Sequence, residues 1–369
     1  MVDPVRSAPL DRPARHYAMW MFTAACPSRC SYCDIDSQKG RKGLSTAEVE
    51  RVAHEILAAG FTEVMFAGGE PLLSPDLPAA LRVFKGRVPT AVFTGGLPGS
   101  VDRVVEVLRD GGVSRLVYSI DAGQDARNDL LRARKGVTAE LLGLAAAVQA
   151  RLPRLDRSVN TVVSRFNVAS VEDVWDRMAP YGLNSWSLTL VGDFFQGSPR
   201  HALLDVAALE RFYLTTVPAL AARLARDRAE LVVLPVPYPF LAAQLPPQRW
   251  GEAGPALRGA LAAEFELYAR GEYNATFVRR CGCPLVGTDV VIGVGGEVHP
   301  CSQAPIIQPA YVVGNVKTQR LEDVLAGEAL RTFGAGVPHP PCTRCWAPSN
   351  VPRAVLARLV AGAAAPLGR

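Results

Sequence analysis

Along the first half of the chain, short apolar runs alternate with stretches of helical spacing. Tyr17 to Thr23, Val64 to Ala67, Val88 to Thr94, Leu116 to Ile120, Ser158 to Ser164 and Ser185 to Val191 read as strands. Between the first two, Val49, Val52, Ala53, Ile56 and Leu57 share one helical face behind a Ser45/Glu48 capping box, and Gly60 stops the helix. Ser100 is placed to cap a helix carrying Val101, Val104, Val105 and Leu108, which ends at Gly111-Gly112. Leu141 to Leu152 and Val171 to Met178 read as further helices. Repeated β-then-α units close right-handed into a parallel sheet or barrel, with ligands at the carboxyl ends of the strands. The expected fold class is α/β, a partial (β/α)6 TIM-like barrel over residues 15–200.

The pattern then changes. Residues 201–280 read as a bridging helical region, with helices over Asp205 to Arg228 and Gly251 to Ala269 interrupted by Pro235, Pro237, Pro239 and Pro246-Pro247. Thr288 to Val294, the Gly295-Gly296 turn and Glu297 to His299 form a β-hairpin, and Leu321 to Leu325 a short helix. This gives a small cysteine-rich domain over 281–350, followed by a C-terminal tail over 351–369 whose closing AGAAAP, residues 361–366, reads as frayed.

Composition narrows the function. Of the 369 residues 49% are hydrophobic and 20% charged, which is globular. A net charge of +5 gives no case for nucleic acid. The longest apolar stretch, Leu231 to Leu245, is short and proline-broken, and no secretory signal opens the chain, so the expectation is a cytoplasmic protein with no membrane partner. In that compartment eight cysteines point to metal rather than to disulfides.

The cysteines form two groups. Cys26, Cys30 and Cys33 follow the first strand, and Cys281, Cys283, Cys301, Cys342 and Cys345 lie in the last quarter. Three thiolates within eight residues can hold three corners of a four-iron cubane and leave one iron open; a structural zinc site is the alternative, although zinc usually takes four ligands. In the second group the hairpin brings Cys283 toward Cys301, and Cys342 and Cys345 complete four ligands, for a four-iron cluster or for a zinc ribbon.

The spacing of Cys26, Cys30 and Cys33, with Tyr32 before the last, resembles the radical S-adenosylmethionine (SAM) superfamily. Gly68-Gly69-Glu70-Pro71 is similar to that family's contact with the SAM amino group, Thr94-Gly95-Gly96 ends the third strand, and Ser119-Ile120-Asp121 resembles its ribose or carboxylate contacts. Asn160 and Val162 lie where the family meets ribose and adenine, and Arg132, with Arg134 and Lys135 beside it, where an arginine reaches the SAM carboxylate or a solvated helix begins. The second group resembles the SPASM/twitch auxiliary domain, with spacing like that of the aminocyclitol dehydrogenase of butirosin biosynthesis. Five cysteines there, against the seven or more usual in full SPASM domains, imply one auxiliary cluster and weaken the analogy with sulfatase-maturating enzymes and most peptide maturases.

The resemblance implies two [4Fe–4S] clusters, bound SAM, and a flavodoxin- or ferredoxin-type reductant. It implies reductive cleavage of SAM to a 5′-deoxyadenosyl radical, which takes a hydrogen atom from a substrate. The expected substrate is a small polar metabolite such as an aminocyclitol, sugar or nucleoside, with net dehydrogenation and the second cluster as electron acceptor. A redox-neutral epimerase or decarboxylase, a peptide-modifying enzyme and a non-catalytic zinc or electron-carrier protein are the alternatives. Cys281 is left over: an unligated thiol, an alternative ligand, or a catalytic hydrogen-atom donor. His299 reads as a hairpin surface residue. Trp186, Asp193, Phe194 and Phe195, near the sixth strand end, divide between core packing and pocket lining.

Overall fold

The computed structural model describes residues 15–33, 40–97, 99, 101–192, 200–308, 310–346 and 353–364. A ten-stranded sheet organises them, in the order β10-β9-β8-β1-β2-β3-β4-β5-β6-β7. Strands β1 (Tyr17–Thr23), β2 (Glu63–Gly68), β3 (Thr90–Thr94), β4 (Arg115–Ser119), β5 (Asp156–Val163) and β6 (Ser185–Leu190) are the six read from the sequence, and each pairs in parallel with the next. One face of this sheet is dry. Trp20, Phe66, Val92, Tyr118, Val159 and Trp186 alternate onto it and pack beneath the helices in one continuous core.

Helices α1 (Thr46–Ala58), α2 (Leu77–Phe84), α3 (Val101–Gly111), α4 (Asp125–Leu131), α5 (Val137–Arg151) and α6 (Asp173–Met178) connect the strands. The capping box of α1 forms as expected, with Ser45 and Glu48 side chains each accepting from the other's backbone. Gly60 follows with φ +79°, a conformation that favours glycine. Ser100, Asp193, Phe194 and Phe195 lie outside the described residues.

Three expectations are corrected. The bridging region is not only helical: β7 (Glu230–Leu234) joins the sheet parallel to β6, so seven parallel strands run from β1 to β7. The cysteine-rich hairpin of β8 (Val290–Ile292) and β9 (Glu297–His299) does not stand apart, because β8 pairs in parallel with β1 through Ala18 and Val290 and continues the sheet, with β10 (Gly314–Asn315) beyond β9. The segment read as frayed is helical as far as Ala364, the last described residue: a helix over Arg353–Ala364 packs Leu356, Leu359 and the buried Val360 against Tyr238 and Phe277. In each case the missing information was a partner distant in sequence.

The remaining helices are α7 (Val206–Arg211), α8 (Val217–Arg226), α9 (Tyr238–Ala242), α10 (Pro255–Ala269), α11 (Ala275–Cys281), α12 (Ala304–Ile307), α13 (Leu321–Ala326) and α14 (Glu328–Ala335). Among the described residues no helix is long and apolar enough to cross a membrane.

Candidate functional site: two cysteine-lined cavities

At the carboxyl ends of β1 to β4 a cavity of about 320 Å³ is lined by Cys26, Cys30 and Cys33 on one side and by Gly68, Gly69, Glu70, Ser119 and Arg132 on the other. The volume suits a small cofactor. Two glycines let its walls meet. The Gly69 N–H donates to Thr23 O at 2.6 Å and the Glu70 N–H to Ala25 O at 2.7 Å. A Cβ at Gly68 (φ +117°) would lie 2.6 Å from Thr23 O, and one at Gly69 would lie 2.2 Å from Ala25 O. The buried Pro71 opens a short 3-10 turn behind them.

Glu70 is buried and heavily solvated by the protein itself. Its Oε2 accepts from the Gly95 N–H at 2.8 Å and the Thr94 hydroxyl at 3.1 Å, and its Oε1 from the Leu72 N–H at 3.3 Å. Burial outweighs these donors and pushes its carboxyl up to about 7. A cationic ligand group beside it would offset that desolvation.

A second polar group closes the cavity. Tyr32 donates to Asp121 Oδ2, and Arg132 Nη1 donates to the Tyr32 oxygen at 2.8 Å and to Asp121 Oδ2 at 3.2 Å. Asp121 Oδ1 accepts the Val162 N–H at 2.9 Å. The cysteine loop is thereby tied to β4, β5 and the end of α4, where the Arg29 and Ser31 N–H groups also donate to the Arg132 and Leu131 carbonyls. Asp121 is thus held by protein donors, whereas Arg132 reaches the cavity. Asn160 bonds the Thr189 hydroxyl through Oδ1 at 3.0 Å. Arg134 pairs with Glu140, and Lys135 is exposed.

The second cavity is lined by Cys283, Cys301, Cys342 and Cys345 together with Leu285, Val286, Tyr311, Phe333 and Val337. The hairpin does bring Cys283 and Cys301 together. Burial pushes Cys283 up to about 11 and Cys301 up to about 12, and Cys30 in the first cavity up to about 11. Such thiols ionise only against nearby positive charge, which bound iron supplies. In each cavity the thiols line a space between them, which fits a multi-iron body.

Cys281, at the end of α11, lines neither cavity. It packs with Tyr238 and Phe277 and bonds the Tyr238 hydroxyl, so its placement lends nothing to a hydrogen-atom donor. His299 is buried rather than exposed, with Nδ1 at 2.9 Å from Tyr311 O. Trp186 is core, its indole donating to Thr161. Two residues escaped sequence reading. Asn167 anchors the Asp121 and Val162 carbonyls, and the only local signal was an asparagine in a turn after β5. Asn274 contacts Cys345, 71 positions away.

Comparison with known proteins agrees with this geometry. The radical SAM superfamily model matches residues 20–178, and the SPASM model, an iron–sulfur cluster-binding domain, matches residues 283–346. A GTP 3',8-cyclase of Xanthomonas axonopodis pv. citri (strain 306) is 34% identical over 168 residues, 42% of this chain. The match spans about half (48%) of that curated relative. Streptococcus suis SuiB bound to precursor peptide SuiA has a TM-score of 0.64 at 14% identity, over 94% of this chain and 70% of SuiB. Native anSMEcpe with bound AdoMet and Cp18Cys peptide has a TM-score of 0.60 at 13% identity, over 89% and 85%. These are likenesses of fold, and they fall on peptide-bound enzymes, an analogy that the cysteine count weakens. The two domains together imply two [4Fe–4S] clusters and SAM as cofactors. Residues 20–178 are thus a radical SAM domain and residues 283–346 an iron–sulfur cluster-binding SPASM domain.

Proposed function

We propose that the chain is a radical SAM oxidoreductase that dehydrogenates a small polar metabolite such as an aminocyclitol, sugar or nucleoside. Cys26, Cys30 and Cys33 would hold the first cluster, and Cys283, Cys301, Cys342 and Cys345 the second. The bound cofactors supply reductive cleavage of SAM to a 5′-deoxyadenosyl radical at the first site and an electron sink at the second. Glu70 and the backbone around Gly68 and Gly69 would take the SAM amino group, and Arg132 its carboxylate. A flavodoxin- or ferredoxin-type protein would deliver the electron.

The observation that carries the substrate reading is a row of polar side chains across the open face of the sheet. Ser119, Asn160 and Ser187 stand directly opposite one another on β4, β5 and β6, with Thr189 two residues further on the same face. Ser119 lines the cavity, whereas Tyr118, Val159, Trp186 and Leu188 face the dry core. Beyond the part that SAM would cover, the β6 hydroxyls favour a ligand rich in hydroxyl or amino groups. A peptide substrate is the second reading, supported by the fold likeness to SuiB and anSMEcpe.

The test is anaerobic reconstitution followed by iron and sulfide counts and incubation with SAM and strong reductant. About eight irons per chain and release of 5′-deoxyadenosine are expected. Zinc in their place, or intact SAM, would refute the reading. With candidate substrates, a product lighter by two hydrogens means dehydrogenation, and unchanged mass means a redox-neutral outcome such as epimerisation.

A further inference from the structure

Behind the second cavity sits a buried amide whose bonds all lead to one turn. Asn274, just before α11, is 1% exposed. Its backbone N–H donates to Thr343 O at 2.7 Å. Its side-chain Nδ2 donates to the Cys342 carbonyl at 3.0 Å and to Cys345 Sγ at 3.1 Å. The other end of the amide, Oδ1, is buried with no partner.

An orphaned buried carbonyl costs free energy comparable with a lost hydrogen bond. Rotating the amide does not help, because Oδ1 would then face the Cys342 carbonyl and the N–H···S contact would vanish. A leucine would fill the same space without the orphan. The site therefore gains from this residue through its N–H group, and the atoms receiving that N–H belong to the Cys342–Cys345 turn.

We propose that Asn274 is a positioning residue for the second cluster, and that the N–H it donates to the Cys345 sulfur makes that cluster easier to reduce. Hydrogen bonds to ligand sulfurs are one of the levers that set cluster potentials. An N–H stabilises a thiolate more as the cluster gains negative charge. The surroundings amplify the effect, since Leu285, Val286, Phe333 and Val337 make most of the cavity wall apolar. The inference rests on the reading of Cys345 as a ligand and deepens the role of the second cluster as electron acceptor.

The experiment uses the full chain with Cys26, Cys30 and Cys33 replaced by alanine, so that only the second cluster titrates. Midpoint potentials are measured by EPR-monitored redox titration for this parent and for Asn274→Ala and Asn274→Ser, each normalised to iron content. The expected result is a shift to more negative potential in Asn274→Ala, partly recovered by the serine hydroxyl. Should the alanine variant lose its cluster, hyperfine coupling from isotopically labelled asparagine in the reduced parent decides, and its presence is expected. An unchanged potential at full iron content, or no such coupling, overturns the proposal while leaving the ligand reading intact. Zinc at the second site overturns both.

Discussion

The two cysteine cavities are built on opposite plans. The first is lined by charge: Glu70 and Arg132 face it, and Cys33 is exposed. The second is lined by four thiols and mostly apolar side chains, with Gln303 and Tyr311 among them and Cys345 buried. A charged cavity with three thiols is suited to admitting a polar ligand, whereas a smaller, mostly apolar one with four is suited to holding a saturated body. On the proposed ligand sets, ligand number and wall chemistry change together, and one fold would separate a site for exchange from a site for retention.

Removing a ligand from each site is the strongest way to break that comparison. Cys30→Ala is expected to abolish 5′-deoxyadenosine formation while about half of the iron remains, because the second set of thiols is intact. Cys301→Ala is expected to leave SAM cleavage measurable and to lose the other half. Iron counts and 5′-deoxyadenosine yields check both. If Cys301→Ala abolished cleavage at full first-site occupancy, the division of labour would be wrong.

Glycine size is the next lever. Gly69→Ala forces a Cβ against the Ala25 carbonyl at 2.2 Å. Backbone is met there rather than a flexible side chain, so β2 and the cysteine loop must separate. A loss of about 1–3 kcal/mol is expected, read as a lowered midpoint in chemical denaturation, with weakened SAM binding. Gly60→Ala, with nothing within 4 Å of its Cβ but φ +79°, strains only its own backbone and leaves SAM binding unchanged.

How much of this was readable in advance follows from the range of the interactions. The six strands β1 to β6 were legible because each carries its own apolar run, the first cysteine set because its three members lie within eight residues, and the second because a hairpin signal joins Cys283 to Cys301 and two residues separate Cys342 from Cys345. Strand β7 was hidden, since Leu231 to Leu234 runs straight into Pro235 and Pro237 and its identity as a strand comes from pairing with β6. The eight-residue α2 and seven-residue α4 are too short to show a period. Glu70 was legible as a motif, but its cage was not: Thr94 and Gly95 reach it from the next strand. Asn274 gave no sequence signal, because its partner in the sulfur contact is 71 residues away.

The charge on Glu70 sharpens the contrast as a pH effect. Its folded-state value near 7 lies above the ordinary 4.5, so the free folded protein retains a proton there that the unfolded chain releases. Its ionisation therefore reduces stability as pH rises from about 4.5 through 7. On the proposed contact of Glu70 with the SAM amino group, SAM binding has the opposite sign, since that group would favour the ionised carboxylate: affinity is expected to fall as pH drops below about 7. Glu70→Gln is expected to bind SAM about 10–100-fold more weakly at pH 8 and to flatten the pH profile. Anaerobic calorimetric titration of the reconstituted protein measures both. A steep profile retained in the glutamine variant would assign the pH dependence to another group.

The smallest expected effect concerns the tie that keeps the first site in shape. Tyr32→Phe removes the hydroxyl that donates to Asp121 and accepts from Arg132. Arg132 keeps its 3.2 Å bond to Asp121, so no charge is left unpaired, and the loss is expected to be about 1 kcal/mol. The cysteine loop retains its backbone anchors from Arg29 and Ser31 to the end of α4, which keep the cluster ligands near their places. The predicted signature is therefore a modest rise in the oxygen sensitivity and iron loss of the first cluster, with the second unaffected. Iron release after brief air exposure measures this, resolved by site in Cys30→Ala and Cys301→Ala backgrounds. Equal loss from both clusters would mean that Tyr32 supports the sheet as a whole, and that the first cavity does not depend on this tie for its shape.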